Sequence, residues 1–177
     1  SSQSGPIIAY SGLTEDGSAV RQYSLSVESD KLVGHSGGTG VTSSADVADG
    51  TWKLVTLVSH PTQMKIYING VEAGSGVPGA KLAGGTTGDA SLGGTKHLLI
   101  GAARSGPNSF AYYDGRINEV AIWNTFLSKE QVLELYNDGC PLDIKKHSQY
   151  SANLKSHIGS NVNVAQVQHW NFESSFT

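Results

Sequence analysis

Residues 111–136, AYYDGRINEVAIWNTFLSKEQVLELY, constrain the fold more than any other part of the chain. A strand pattern over 111–124 runs through Trp123 and gives way to one helix with agreeing start signals. Ser128 can cap that helix, Gln131 completes a capping box three positions on, and Leu127 with Val132 makes a hydrophobic staple. Val132, Leu135 and Tyr136 share one helical face, which is expected to dock on the sandwich edge. Gly139 supplies a left-handed residue at the end, and Pro141 prevents continuation. Everything upstream reads as strand and glycine turn. A lone helix after a run of strands implies two facing sheets.

The strands are read from alternation and turn chemistry. Segments 6–13, 22–28 and 31–36 fit short strands; in the second, Tyr23, Leu25 and Val27 alternate with polar residues, the pattern of a half-buried strand. Asp16-Gly17 and Ser29-Asp30 mark turns. Asp49-Gly50 opens 52–60, where apolar residues on both faces predict a central strand ended by Pro61. Trp52 and Trp123 are assigned to the core. Asn69-Gly70, between 64–69 and 71–73, is the strongest hairpin signal, because a type I′ turn needs positive φ at both central positions. Residues 74–96 read as a long flexible loop rich in Gly, Ser and Thr. The sheet resumes at 98–103, and 104–110 is read as a loop before 111–124.

Composition removes several functions. With 177 residues the chain fits one domain with a substantial core. A net charge of −3 offers no basic field for nucleic acid or anionic lipid. No apolar run reaches the ~20 residues of a membrane span, so no membrane insertion is expected. The single cysteine, Cys140, excludes an internal disulfide.

Reactive constellations are sparse. A glycoside hydrolase needs two carboxylates about 5–9 Å apart, and residues two apart on a strand would provide them. Glu28-Ser29-Asp30 comes nearest, with Leu32 where a third carboxylate would stand; it and Glu15-Asp16 are read as turn residues. None of His35, His60, His97, His147, His157 and His169 shows zinc-ligand spacing. Cys140 follows a helix C-terminus, where the dipole disfavours a thiolate. The stretch 88–96 has Gly94 where a phosphate loop requires Lys. Sugar binding asks instead for an aromatic face beside polar hydrogen-bonding groups. Arg104, Asn108, Tyr112 and Tyr113 lie within or beside one loop and offer that set. Alternation sends the two tyrosines to opposite faces, so one of them at most contacts ligand.

The run Tyr113, Gly115, Ile117, Glu119, Val120, Ile122, Trp123, then Leu127, Ser128, Gln131, Leu135 and Tyr136, resembles the end of a laminin-G-like, concanavalin-A-like jelly roll. Asp49-Gly50-x-Trp52 and the I-Y-I-N-G-V hairpin of 66–71 extend the resemblance over roughly 7–141. It implies an all-β, two-sheet antiparallel jelly-roll sandwich with one short helix near 128–138. The domain would occupy 1–141, and 142–177 would be a linker plus a returning strand. His169-Trp170-Asn171-Phe172-Glu173 is similar to the strand that opens family members, as expected of a circular permutant or of a fragment running into a further module. Calcium is a ligand of related domains, and Asp114 with Asn118, joined by Asp89, is the cluster that could take it. The resemblance allows an oligomer and implies a non-enzymatic recognition or adhesion module on a virion or extracellular surface, in the manner of bacteriophage structural proteins. Its partner would be a surface glycan. The rival is an architectural module that contacts neighbouring virion or cell-surface protein, and a third reading is a fragment of a glycoside hydrolase.

Overall fold

The computed structural model describes residues 3–13, 19–79, 97–106, 109–123, 125–140, 142 and 168–170. They form an antiparallel β-sandwich with one short α-helix. The larger sheet is built from β1 (Gly5–Leu13), β2 (Ala19–Glu28), β3 (Lys31–Ser36), β4 (Thr39–Asp46) and β8 (His97–Ile100), in the order β4-β3-β2-β1-β8. The smaller sheet is β5 (Val55–His60), β6 (Gln63–Ile68) and β7 (Val71–Gly76) in sequence order. β9 (Ala102–Gly106) pairs with β10 (Ser109–Tyr112), and β11 (Val120–Ile122) pairs with β12 (Gln168–Trp170).

Register decides which side chains meet. Leu25 lies opposite Gly34 and Val27 opposite Leu32, so one row of β2 and β3 faces the smaller sheet. From that sheet Met64 and Ile66 point back, and Leu25, Leu32, Val41, Met64 and Ile66 form the sandwich core. Leu32, Met64 and Ile66 are each 0% exposed, and full burial of such side chains contributes about 1.5–3 kcal/mol apiece. The interior ends at a polar pair, Ser36 Oγ and Ser59 Oγ, 2.8 Å apart.

A second core lies on the far face of the smaller sheet. Val58 and Tyr67 alternate with the inward residues of β5 and β6 and meet Trp123, Leu127, Val132 and Leu135. The helix α1 (Lys129–Tyr136) therefore docks on the outer face of the smaller sheet, rather than at the sandwich edge expected from sequence. The face is available because the three-stranded sheet has apolar side chains on both sides. Both halves of the capping box form: the Gln131 amide donates to Ser128 Oγ at 3.3 Å, and the Ser128 amide donates to Gln131 Oε1 at 2.8 Å. Ser128→Ala is expected to cost about 1 kcal/mol in urea unfolding, and Ser128→Thr or Ser128→Asp much less. The helix ends earlier than Gly139, because Asn137 already adopts left-handed φ of 46° at the C-cap.

Other departures from expectation have local causes. β4, rich in Ser and Thr, carries no alternation strong enough to be read, yet it completes the larger sheet. The segment read as one strand over 98–103 is split at Gly101, whose φ of 72° turns the chain between β8 and β9. The segment 111–124 likewise holds β10 and β11, separated by irregular backbone in which Glu119 has φ of 54°. Of the loop expected over 74–96, residues 74–76 belong to β7 instead, and 80–96 lie outside the described residues. Trp52 precedes β5 and is 64% exposed, so it is not a core residue. The polar row of β2 is buried instead: Ser24 and Ser26 are each 3% exposed, and Ala9 beside them is 0%.

Candidate functional site

Two of the residues expected to contact sugar, Arg104 and Tyr112, lie on the β9–β10 hairpin. Within it side chains alternate small and large. Ala103 pairs with Ala111 on one face, and Arg104 pairs with Phe110 on the other, with Tyr112 two residues along the same face as Phe110. Ala103 is 1% exposed, and the hairpin packs against β1. Two backbone bonds fasten its base: Gly101 N donates to Ile7 O at 2.7 Å, and Tyr113 N donates to Gly101 O at 2.9 Å. The approach to β1 is close enough to require Gly5, where a Cβ would lie 2.7 Å from Tyr112 O. Ser105 Oγ and Ser109 Oγ, 3.0 Å apart, tie the strands near the turn.

The large face is a row of three side chains. The Arg104 guanidinium sits over the Phe110 ring, 5.3 Å from its centroid. The Phe110 and Tyr112 rings follow at 6.4 Å, tilted 34° to each other. Phe110 is 39% exposed and Tyr112 70%, so both rings present surface to solvent. Cation–π stacking of this kind contributes about 0.5–2 kcal/mol and holds Arg104 in one place. Tyr113 points elsewhere and is half-buried, its ring so near Gly115 that a Cβ there would meet it. Of the expected residues, Arg104 and Tyr112 are thus brought together, Tyr113 is not, and Asn108 lies outside the described residues. Phe110 is missing from the sequence-based set because 104–110 reads as a loop; its alternation with Tyr112 is the available signal.

The calcium expectation fares differently. Asp114 and Asn118 are both exposed, and Asp89 lies outside the described residues. Among the described residues no group of three or more His, Cys, Asp or Glu could hold a metal ion.

Charge elsewhere is locally satisfied. Asp49 accepts from the Thr51 amide at 3.0 Å, from Thr51 Oγ1 at 2.7 Å and from Lys53 Nζ at 2.7 Å. The Lys53 and Thr51 hydrogen bonds hold its carboxyl far below the usual carboxylate range. This knot fixes the backbone next to the exposed Trp52, and Asn69 clamps the other side by accepting from the Leu54 amide at 3.0 Å. Asp30 is similarly occupied, accepting from the Gln3 amide at 2.6 Å. It sits in a turn where Ser29 and Asp30 both have positive φ, which separates it from Glu28 at the end of β2.

Among the described residues no helix is long and apolar enough to cross a membrane. No curated protein matches the sequence. One similar solved structure is the 2.1 Å crystal structure of an S-layer domain-containing protein (residues 221–444) from Clostridium thermocellum ATCC 27405. It is 21% identical with a TM-score of 0.41, and the match covers 77% of this chain but only 64% of that one. The family described as the concanavalin A-like lectin/glucanases superfamily matches residues 1–133. With that match spanning most of its 177 residues, and with the facing sheets in place, the chain belongs to this superfamily.

Proposed function

We propose that the chain is a non-enzymatic recognition module that binds surface glycans, acting at a virion or cell surface. The observation that carries this reading is the row in which half-buried Arg104 backs the exposed rings of Phe110 and Tyr112 on a hairpin fastened to β1. A pyranose presents a C–H face to an aromatic ring and hydroxyls to neighbouring polar groups. Tyr112 supplies the ring, and the guanidinium supplies fixed donors. Because the platform is pre-ordered, little entropy is lost on binding. One such contact is weak, and affinity at a surface would come from repetition of the module.

A glycan array, run with and without EDTA, tests the reading. Tyr112→Ala is expected to weaken the best glycan roughly tenfold, about 1.4 kcal/mol, with the unfolding midpoint unchanged because the ring is largely in water. Equal binding by Tyr112→Ala and wild type would rule the hairpin out as the contact. The architectural reading has its own support in Val71 (65% exposed) and Val77 (68% exposed), at the ends of the edge strand β7. Exposed apolar side chains beside an edge strand suit protein–protein contact. Silence on the array combined with self-assembly would favour it.

A further inference from the structure

A second concave surface lies on the outer face of the smaller sheet, away from the hairpin. It is a half-open groove of about 300 Å³ between the ends of β5 and β6 and the segment leading into α1. That volume is at the lower end for small-molecule sites and suits a single sugar ring. Val58, Tyr67 and Leu127 line its apolar part, and Tyr67 and Leu127 are buried there at 2% and 6%. Phe126 stands at its side, 55% exposed, with the His60 ring edge-on at 4.6 Å.

The polar lining is one-sided in charge. Lys65, Lys129, His60, Gln63 and Ser128 contribute, and no carboxylate lines the groove. Lys65 is bound to Glu72 at 2.8 Å, and this partner raises its pKa, so it is cationic at any ordinary pH. Lys129 forms no ion pair among the described residues. The one nearby acid on the helix, Glu130, is engaged with the Ser128 hydroxyl at 2.8 Å. The Thr62 amide donates to His60 Nδ1 at 3.3 Å. Nδ1 also lies 2.9 Å from Thr62 Oγ1, so this nitrogen is engaged within its own turn. An apolar wall, an exposed aromatic ring and the Lys129 ammonium, with no carboxylate in the lining, call for a ring-shaped ligand carrying an anion.

We infer that this groove binds a carboxylate-bearing sugar unit, with the ring against Phe126 and the carboxylate facing Lys129 and Lys65. The inference rests on the reading of the chain as a glycan-binding module, but it places a separate subsite on the smaller sheet, apart from the hairpin. A module with one contact surface on the hairpin and another on the smaller sheet engages two stretches of glycan at once.

Titration of the intact chain with glucuronic acid and with glucose, followed by NMR, tests it. Glucuronate is expected to bind saturably and roughly tenfold tighter than glucose, and the advantage should shrink as salt screens the exposed ammonium. Phe126→Ala should remove binding of both sugars. Lys129→Gln, a substitution at an exposed site, should bring glucuronate down to the level of glucose. Tyr112→Ala should leave the groove titration unchanged, which separates failure of this inference from failure of the hairpin reading. Equal binding of the two sugars, or full binding by Phe126→Ala, would overturn the assignment. So would the absence of any saturable shift with glucuronate.

Discussion

Ile66→Ala is expected to cost about 2–5 kcal/mol of folding stability, and Gly34→Ala about 1–3 kcal/mol, yet the two losses should not add. Gly34 sits on the inner row of β3, where an added Cβ would lie 2.6 Å from Ile66 Cγ2 and 2.9 Å from Leu57 Cδ1. Both distances are well inside van der Waals contact, so the alanine methyl must push Ile66 or Leu57 off its rotamer. Ile66 is 0% exposed, and removing its branched end leaves a void directly opposite Gly34. The methyl introduced at position 34 fits into that void. In a double-mutant cycle, Gly34→Ala should therefore cost far less in the Ile66→Ala background than in wild type. Urea unfolding of the four proteins measures the coupling directly. Strict additivity would mean that the sheets can slide apart at this layer, and the close-packed reading of the core would have to be given up.

What the sequence made legible was whatever is set locally. The capping box at Ser128 and Gln131 and the Asn69-Gly70 turn are decided by neighbours in the chain, and both are present as expected. The sandwich itself was legible because Tyr23, Leu25 and Val27 on β2 and Met64 and Ile66 on β6 follow the two-residue period. The rest depended on what packs over each face. Ser24 and Ser26 read as solvent-facing, but β9 lies close to β1 and β2 and that row is buried. Phe110 could not be placed because the strand carrying it begins within a stretch of Ser, Gly, Pro and Asn and pairs with β9 through a register shift between Ser109 and Phe110. Trp52 was misassigned because its direction is set by the Asp49 knot and the Asn69 clamp, which hold the chain in irregular backbone before β5 starts. The candidate site was half-legible for the same reason. Arg104 and Tyr112 stood out by chemistry, while the row they form with Phe110 exists only once β9 and β10 pair.

Val132→Asp is the second substitution expected to act strongly, and its effect should be both local and dependent on pH. Val132 is 0% exposed and anchors α1 to Tyr67 and Leu127 on the outer face of the smaller sheet. A carboxylate there would be desolvated without a partner, a loss of roughly 3 kcal/mol or more in docking. An eight-residue helix has no stability of its own, so once undocked it should melt. Burial raises the introduced carboxyl's pKa in the folded state above its unfolded value of about 3.9. The neutral form is the one tolerated, so the damage should be small below about pH 4 and grow as pH rises through the raised folded value. Tyr67 reports the change: burial now pushes its pKa up, and undocking should return it toward that of an exposed tyrosine. Hydrogen exchange should lose protection in the helix amides, while the amides of β2 and β3 on the opposite sheet keep theirs. Simultaneous loss in both places would show that the outer cluster and the sandwich core unfold as one unit, which their placement on opposite faces of a single three-stranded sheet argues against.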